Sequence, residues 1–235
     1  MWTALELTRG FALAAALLIP TGQPTDRVIV TTPDGSALAA RFFDAGADAA
    51  GVLFFPMCAS GWSEGWTPVA ERLRKARVSS LIVSYRGTAG NTTGTGTGDQ
   101  RSADADSAFA FLRSRIGSNA PVAIGGSSCG VNLALRTVAA HPEARAVVLL
   151  SGPHTPTQLE YVRRTPALAV FSGATTKEPP SHEWAQALED ASPNPASRVV
   201  ISDQPGHGTD QFKSHATLAD DVADWIVTQL RAAAR

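Results

Sequence analysis

The sequence predicts an α/β protein in which helices cover both faces of a mostly parallel central sheet. From residue 51 onward, short apolar runs alternate with stretches of helical periodicity, the pattern of parallel strands joined by helices. Before that point, two strand-like runs flank Pro33-Asp34-Gly35 and predict a hairpin that adds antiparallel strands at one edge. Between Leu150 and Ala167 there is room for one short helix only, so we expect no separate cap domain.

Each element follows from its own residue pattern. Apolar runs bounded by turn residues predict strands at 28–32, 37–43, 52–55, 78–85, 121–124, 146–150, 167–171 and 199–201. Helical patterns predict helices at 66–76, 99–116, 131–140, 157–163, 182–188 and 218–230. Residues 86–98 are rich in Gly and Thr and are expected to form a loop.

Length and composition favour one globular domain over residues 23–235. The 235-residue chain is 44% hydrophobic and 17% charged, which is typical of a protein with a full core. Twenty basic and 21 acidic residues give a net charge of −1, so we expect no nucleic-acid partner. No apolar run is long enough to span a bilayer. Two cysteines do not make a zinc-ligand set, and no metal or other cofactor is predicted.

Residues 1–22 fit two interpretations. Residues 11–19 are apolar, follow Arg9 and precede Pro20-Thr21-Gly22, as in an export signal. Glu6 and the lack of an Ala-x-Ala site favour instead an N-terminal helix packed on the domain. We favour the export signal, which predicts a periplasmic or secreted protein, whereas the helix would be compatible with a cytoplasmic one.

The central motif of the chain is Gly126-Ser127-Ser128-Cys129-Gly130, which follows a predicted strand and precedes a predicted helix. Gly-x-Ser-x-Gly in that context indicates a nucleophile elbow, a tight turn that exposes the central serine. The glycine frame selects Ser128, because a turn centred on Ser127 would need glycine at position 129. The sequence therefore predicts Ser128 as a nucleophile.

A serine nucleophile needs a base, and His207 is the best-placed of five histidines. It follows the last predicted strand, in Gly206-His207-Gly208-Thr209. Because the carboxyl ends of parallel strands share one edge of a sheet, we expect His207 and Ser128 to meet there. His154, which follows another strand, is the alternative base.

An oxyanion hole requires two backbone N–H groups beside the nucleophile. We expect one from Cys129, which follows Ser128, and the other from the loop after Phe55. In that loop Met57 and Cys58 are the candidates, and we favour Cys58. We expect the two cysteine side chains to be spectators, with a disulfide or joint oxidation as the alternative.

Several segments resemble those of the single-domain, dienelactone-hydrolase-like serine hydrolases of the α/β-hydrolase fold. The resemblance covers about residues 28–233. Its motifs are Phe55-Pro56-Met57-Cys58, Tyr85-Arg86-Gly87, Gly126-Ser127-Ser128-Cys129-Gly130-Val131-Asn132, Leu149-Leu150-Ser151-Gly152, Ser192-Pro193-Asn194-Pro195 and Gly206-His207-Gly208-Thr209. It implies Ser128 as nucleophile, His207 as base and ester or acyl hydrolysis as the reaction.

The sequence departs from these relatives at two positions. They usually carry His where Pro56 stands, and the acid of their catalytic triad is typically an Asp at the position of Thr176. Glu178 is our candidate for the acid, although it lies two residues further along the chain. The Thr176 hydroxyl could instead orient His207, whereas Asp203 and Asp210 lie too near His207 in sequence to face its ring.

Two functions are therefore open. The first is a serine hydrolase that cleaves small or extended carboxylic esters through an acyl-enzyme, with Ser128, His207 and Glu178 as catalytic groups. The second is a binding protein built on a degenerate hydrolase fold, an interpretation suggested by the missing Asp. We favour the enzyme, because a binding protein has no need of both the elbow and the His207 loop.

Overall fold

The structure, a computed structural model of the chain, describes residues 26–58, 63–87 and 96–234. Eight strands form one sheet in the order β1-β2-β4-β3-β5-β6-β7-β8. The strands are β1 (Arg27–Thr31), β2 (Ala37–Phe43), β3 (Ala50–Phe55), β4 (Val78–Val83), β5 (Val122–Ser127), β6 (Ala144–Leu150), β7 (Ala169–Thr175) and β8 (Arg198–Ser202).

The sheet is parallel except around one strand. β2 runs antiparallel to both of its neighbours, β1 and β4, and all remaining neighbours pair in parallel. The carboxyl ends of β3 and β5 to β8 consequently meet at one edge, where parallel sheets form their sites. The prediction of a mostly parallel sheet with an antiparallel hairpin at one edge is confirmed.

Helices cover both faces of the sheet, each with its own apolar core. The helices are α1 (Thr67–Lys75), α2 (Gly98–Arg115), α3 (Cys129–Ala140), α4 (Pro156–Arg163), α5 (Ser181–Ala191), α6 (Gln211–Ser214) and α7 (Leu218–Ala233). On one face α2 to α5 contribute buried residues such as Leu112, Val131 and Leu188. On the other face α1 and α7 contribute residues such as Leu73 and Ile226. The prediction of helices on both faces is therefore also confirmed.

Two strands extend beyond the apolar runs that predicted them. β5 continues through Gly125 and Gly126, and β7 covers 169–175 instead of the predicted 167–171. Their small residues have weak strand propensity, but all of them are buried between paired strands. Sheet pairing and burial outweigh local propensity here, as is common in central strands.

The connection from β6 to β7 contains one helix, α4, so no separate cap lies over this part of the sheet. The apolar stretch 11–19, on which the export interpretation depends, lies outside the described residues. In the part of the chain that the structure describes, no helix is both long and apolar enough to cross a membrane.

Candidate active site

Ser128 occupies a sharp turn between β5 and α3. Its backbone adopts φ 56° and ψ −122°, a conformation that residues with side chains rarely take. The Ser128 N–H donates a hydrogen bond to the Leu150 carbonyl at 2.8 Å, which fixes the turn to the end of β6. At Gly126 an added Cβ would lie 2.2 Å from the Gly130 carbonyl oxygen, so the turn requires glycine there. The predicted elbow geometry is therefore present around Ser128.

His207 lies in the loop that follows β8, and this loop is fixed to the ends of neighbouring strands. The Thr209 N–H donates to the buried Ser127 Oγ at 3.0 Å, which ties the loop to β5. The Thr175 hydroxyl donates to the Gln204 carbonyl at 2.5 Å, which ties it to β7. Sequence reasoning gave Ser127 no part in the site, because a side chain that accepts from a distant backbone amide leaves no pattern in the sequence.

Ser128, His207 and Glu178 form a chain of hydrogen bonds. The distance from His207 Nδ1 to Glu178 Oε2 is 2.6 Å, and that from His207 Nε2 to Ser128 Oγ is 2.7 Å. A carboxylate only accepts, so Nδ1–H donates to Glu178, which leaves Nε2 to accept the Ser128 hydroxyl proton. The side chains of His207 and Glu178 are 38% and 42% exposed, so the chain is open to water.

Glu178 reaches His207 because β7 ends later than its apolar run predicts. The Thr176 N–H donates to the Ser202 carbonyl at 2.9 Å, so Thr176 is still aligned with β8. Its hydroxyl donates to the same carbonyl at 3.4 Å and not to His207. The turn then places Glu178, with one more methylene than Asp, against the imidazole.

Asp203 and Asp210, two other candidates for the acid, have other partners, and His154, the alternative base, lies apart. Asp203 accepts from the neighbouring Gln204 side chain at 2.9 Å, and Asp210 accepts from Lys213 at 2.7 Å. His154 lies after β6, where burial lowers the pKa of its imidazole. Among the described residues, the histidine that hydrogen-bonds Ser128 is His207.

The two predicted oxyanion segments are joined covalently. Cys129 is the first residue of α3, and Cys58 is the third residue after β3. Their side chains form a disulfide with the Cα atoms 5.9 Å apart. The expectation that these side chains are spectators is therefore wrong, because the fold brings them within bonding distance directly beside Ser128.

Two aromatic side chains hold the loop that carries Cys58. The Tyr85 hydroxyl donates to the Pro56 carbonyl at 2.5 Å, and the Trp66 indole N–H donates to the Phe55 carbonyl at 3.1 Å. Both hydrogen bonds are buried, and burial raises the pKa of Tyr85, so its phenol stays a donor at ordinary pH. Tyr85 stands in one of the resemblance motifs, although nothing in the sequence indicated this contact.

A cavity of about 410 Å³ lies between this loop and the loop that carries His207. Met57 lines it from the first loop, Thr209 from the second, and Phe212 from α6. An added Cβ at Gly208 would lie 2.8 Å from the Met57 sulfur, so this lining residue packs against the residue that follows His207. Within residues 26–58, 63–87 and 96–234, no group of three or more His, Cys, Asp or Glu side chains could hold a metal ion.

The sheet order, the turn at Ser128 and the helices on both faces define the α/β-hydrolase fold. No protein-family model and no curated protein sequence matches the chain. Solved structures do match it at low sequence identity.

Est1E from Butyrivibrio proteoclasticus superposes with a TM-score of 0.70 at 13% identity, over 88% of this chain and 99% of that one. A second structure of Est1E has ferulic acid bound. The esterase Pf2001 from Pyrococcus furiosus gives a TM-score of 0.66 at 17% identity, over 88% of this chain and 89% of that one. An esterase domain from Rhodothermus marinus gives a TM-score of 0.66 at 18% identity, over 86% of this chain and 97% of that one. At these identities the likeness establishes the fold.

Proposed function

We propose that this protein is a serine hydrolase that cleaves carboxylic esters. The observation that carries the proposal is the hydrogen-bonded chain from Glu178 through His207 to Ser128. These three side chains come from three loops, and Ser128 has a strained backbone conformation. Their hydrogen-bonded alignment is the arrangement that activates a hydroxyl nucleophile. The solved structures of similar fold include proteins named as esterases, which supports the same reaction class.

In this mechanism Ser128 Oγ attacks the ester carbonyl carbon while His207 Nε2 takes its proton. Glu178 holds the ring by Nδ1–H and stabilises the imidazolium. The carbonyl oxygen becomes an oxyanion and accepts hydrogen bonds from the backbone N–H groups of Cys129 and Cys58. The alcohol leaves with the proton from His207, and water, activated by the same imidazole, then releases the acid from Ser128.

The proposed substrates are esters with small or extended acyl or alcohol groups. The exposed His207 side chain and the single helix between β6 and β7 leave the site open. The 410 Å³ cavity beside it offers space for one organic group of the ester. Within this class we propose a dienelactone-hydrolase-like enzyme, on the sequence motifs that suggested it. Comparing turnover of a small lactone with that of an open-chain ester of similar size tests this finer assignment.

The alternative is a binding protein built on the hydrolase fold. It was motivated by the absence of Asp at position 176, and the contact of Glu178 with His207 argues against it. If the protein only binds, it should fold normally and its Ser128 should not react with an ester or an active-site probe.

A fluorophosphonate probe distinguishes the two functions. We expect it to label the wild-type protein on Ser128, as located by mass spectrometry of the modified peptide. Ser128→Ala should be unlabelled and inactive on an aryl ester. Ser127→Ala is the matched control, because it removes the adjacent serine and should leave Ser128 labelled. A folded wild-type protein that neither reacts nor hydrolyses an ester would contradict the proposal.

We further propose that the protein is exported, and that residues 1–22 are its signal. The Cys58–Cys129 disulfide supports this, because such bonds persist in the periplasm and outside the cell. Mass spectrometry of protein from fractionated native cells should find a processed N-terminus and an oxidised cysteine pair outside the cytoplasm. An unprocessed, reduced protein in the cytoplasmic fraction would contradict export.

A further inference from the structure

The disulfide connects the two backbone segments that the proposed mechanism uses as its oxyanion hole. Cys129 immediately follows Ser128, and Cys58 belongs to the loop after β3, 71 residues away in sequence. Both side chains are half-buried and pack against the edge of one core. In the proposed mechanism the bond therefore lies beside the reacting carbonyl, between two residues that keep some exposure to solvent.

Hydrogen bonds fix the first residues of this loop, whereas the disulfide fixes Cys58. The carbonyls of Phe55 and Pro56 accept from Trp66 and Tyr85. Cys58, two residues further on, is held through its side chain by the bond to Cys129. The disulfide thus links the residue of one proposed donor, Cys58, directly to the residue of the other, Cys129.

The position of an oxyanion donor has a large effect on turnover. Loss of one donor typically costs about 10²–10³ in kcat, and a misplacement of about 1 Å can cost roughly 10²-fold. The two donors lie on separate segments, and both can reach one oxyanion only if the distance between them is kept. A covalent bond between their side chains restricts that distance directly.

We propose that the Cys58–Cys129 disulfide positions the oxyanion hole, so that reduction of this bond lowers turnover and reoxidation restores it. The inference rests on the proposed esterase function. A dithiol supplies two electrons and two protons. The Sγ–Sγ bond breaks to give two thiols, and the dithiol becomes a cyclic disulfide. Reoxidation reverses these changes with an added disulfide as the oxidant.

The test compares oxidised, dithiol-reduced and reoxidised wild type on an aryl ester, at a temperature at which circular dichroism shows all three to be folded. We expect kcat to fall at least tenfold on reduction with KM changed less than twofold, and to recover on reoxidation. A change in kcat of less than tenfold in a folded, fully reduced protein would overturn the proposal, because the bond would then serve stability alone.

The double variant Cys58→Ser/Cys129→Ser is the matched control. The chain has only these two cysteines, so the double variant should match the reduced wild type and show no response to the dithiol. A double variant with wild-type kcat would overturn the proposal even if reduction itself unfolds the protein.

A second measurement isolates the oxyanion. An aryl boronic acid forms a tetrahedral adduct on serine, so its affinity follows stabilisation of the transition state. We expect its inhibition constant to rise on reduction by about the factor by which kcat falls, while that of the product acid stays constant. Equal boronate affinity in both states would overturn the proposal. If the oxidised wild type neither turns over ester nor reacts with fluorophosphonate, the proposed function itself fails, which is a distinct result.

Discussion

Glu178 contacts His207 although it lies two residues beyond Thr176, the position at which relatives carry the acid. Its contribution to turnover can be measured. In other triads the change of the acid to its amide costs about 10⁴-fold in kcat. We expect Glu178→Gln to lower kcat on an aryl ester at least a hundredfold, because an amide can neither select the Nδ1–H tautomer nor stabilise the imidazolium.

Asp203→Asn is the matched control for Glu178, because it removes an exposed carboxylate from the same edge of the sheet. It should leave kcat unchanged. Glu178→Asp should retain more activity than Glu178→Gln, since the shorter side chain keeps its charge. An unchanged rate in Glu178→Gln would leave a dyad of Ser128 and His207.

Ser127 and Ser128 are adjacent and have different roles, one structural and one catalytic. We expect Ser128→Ala to lower kcat by a factor on the order of 10⁶, as removal of the nucleophile does in serine hydrolases. Ser127→Ala should keep most of the turnover. It should cost roughly 1–3 kcal/mol in the free energy of unfolding, because the buried Thr209 N–H loses its acceptor. Turnover and urea unfolding measure the two effects, and an inactive, fully stable Ser127→Ala would refute this division of roles.

At the scale of elements, Arg86 joins three segments. Its side chain is 5% exposed and pairs with Asp104 of α2, itself 9% exposed, and with Asp34 in the turn between β1 and β2. Arg86→Met should lower the free energy of unfolding by about 3–5 kcal/mol, because the buried Asp104 would lose its ion-pair partner. The control is Arg163→Met, which breaks an exposed pair with Glu160 and should cost far less, because water already solvates both groups. Equal losses in urea unfolding would contradict this ranking.

Asp34 should make stability depend on pH at the acidic end. Hydrogen bonds from Arg86 and Thr32 hold its pKa far below the ordinary value of about 4. A carboxyl whose pKa is lower in the folded state stabilises the fold fully above its unfolded pKa. That contribution is lost as the pH falls below about 4. Asp34→Asn should therefore show a shallower decline of stability between about pH 4 and pH 2 than the wild type, and parallel curves would contradict it.

The sheet could be predicted from local patterns, whereas the acid could not be placed by them. Apolar runs located all eight strands, and the shared carboxyl edge predicted that Ser128 and His207 would meet. The end of β7 was missed because Ser172 to Thr175 are small residues whose strand conformation depends on pairing with β8. That shift decides where Glu178 lies, so sequence alone could name it as a candidate and could not orient it. The contacts of Tyr85 and Trp66 with distant carbonyls are likewise tertiary and leave no local pattern.

At the scale of the whole molecule, the disulfide closes a long loop through the centre of the chain. Its sequence separation of 71 residues corresponds to a stabilisation of about 4 kcal/mol in the chain-entropy account. For a protein of this size that is a loss of roughly 10 °C in Tm on reduction. Scanning calorimetry with and without a dithiol measures it, and the double cysteine variant should melt at the lower temperature in both conditions. An unchanged Tm in fully reduced protein would contradict the estimate.

Gly130 gives the Gly-x-Ser-x-Gly motif a meaning beyond the turn itself. An added Cβ at Gly130 would lie 2.6 Å from the Phe55 carbonyl oxygen and 2.9 Å from both the Pro56 carbonyl oxygen and the Tyr85 hydroxyl. Glycine is therefore required at position 130 because the loop after β3, far away in sequence, packs against it. In a combinatorial library, randomising position 130 alone should return only glycine. Randomising it together with the loop after β3 should return paired solutions, so this residue and that loop are expected to evolve as one unit.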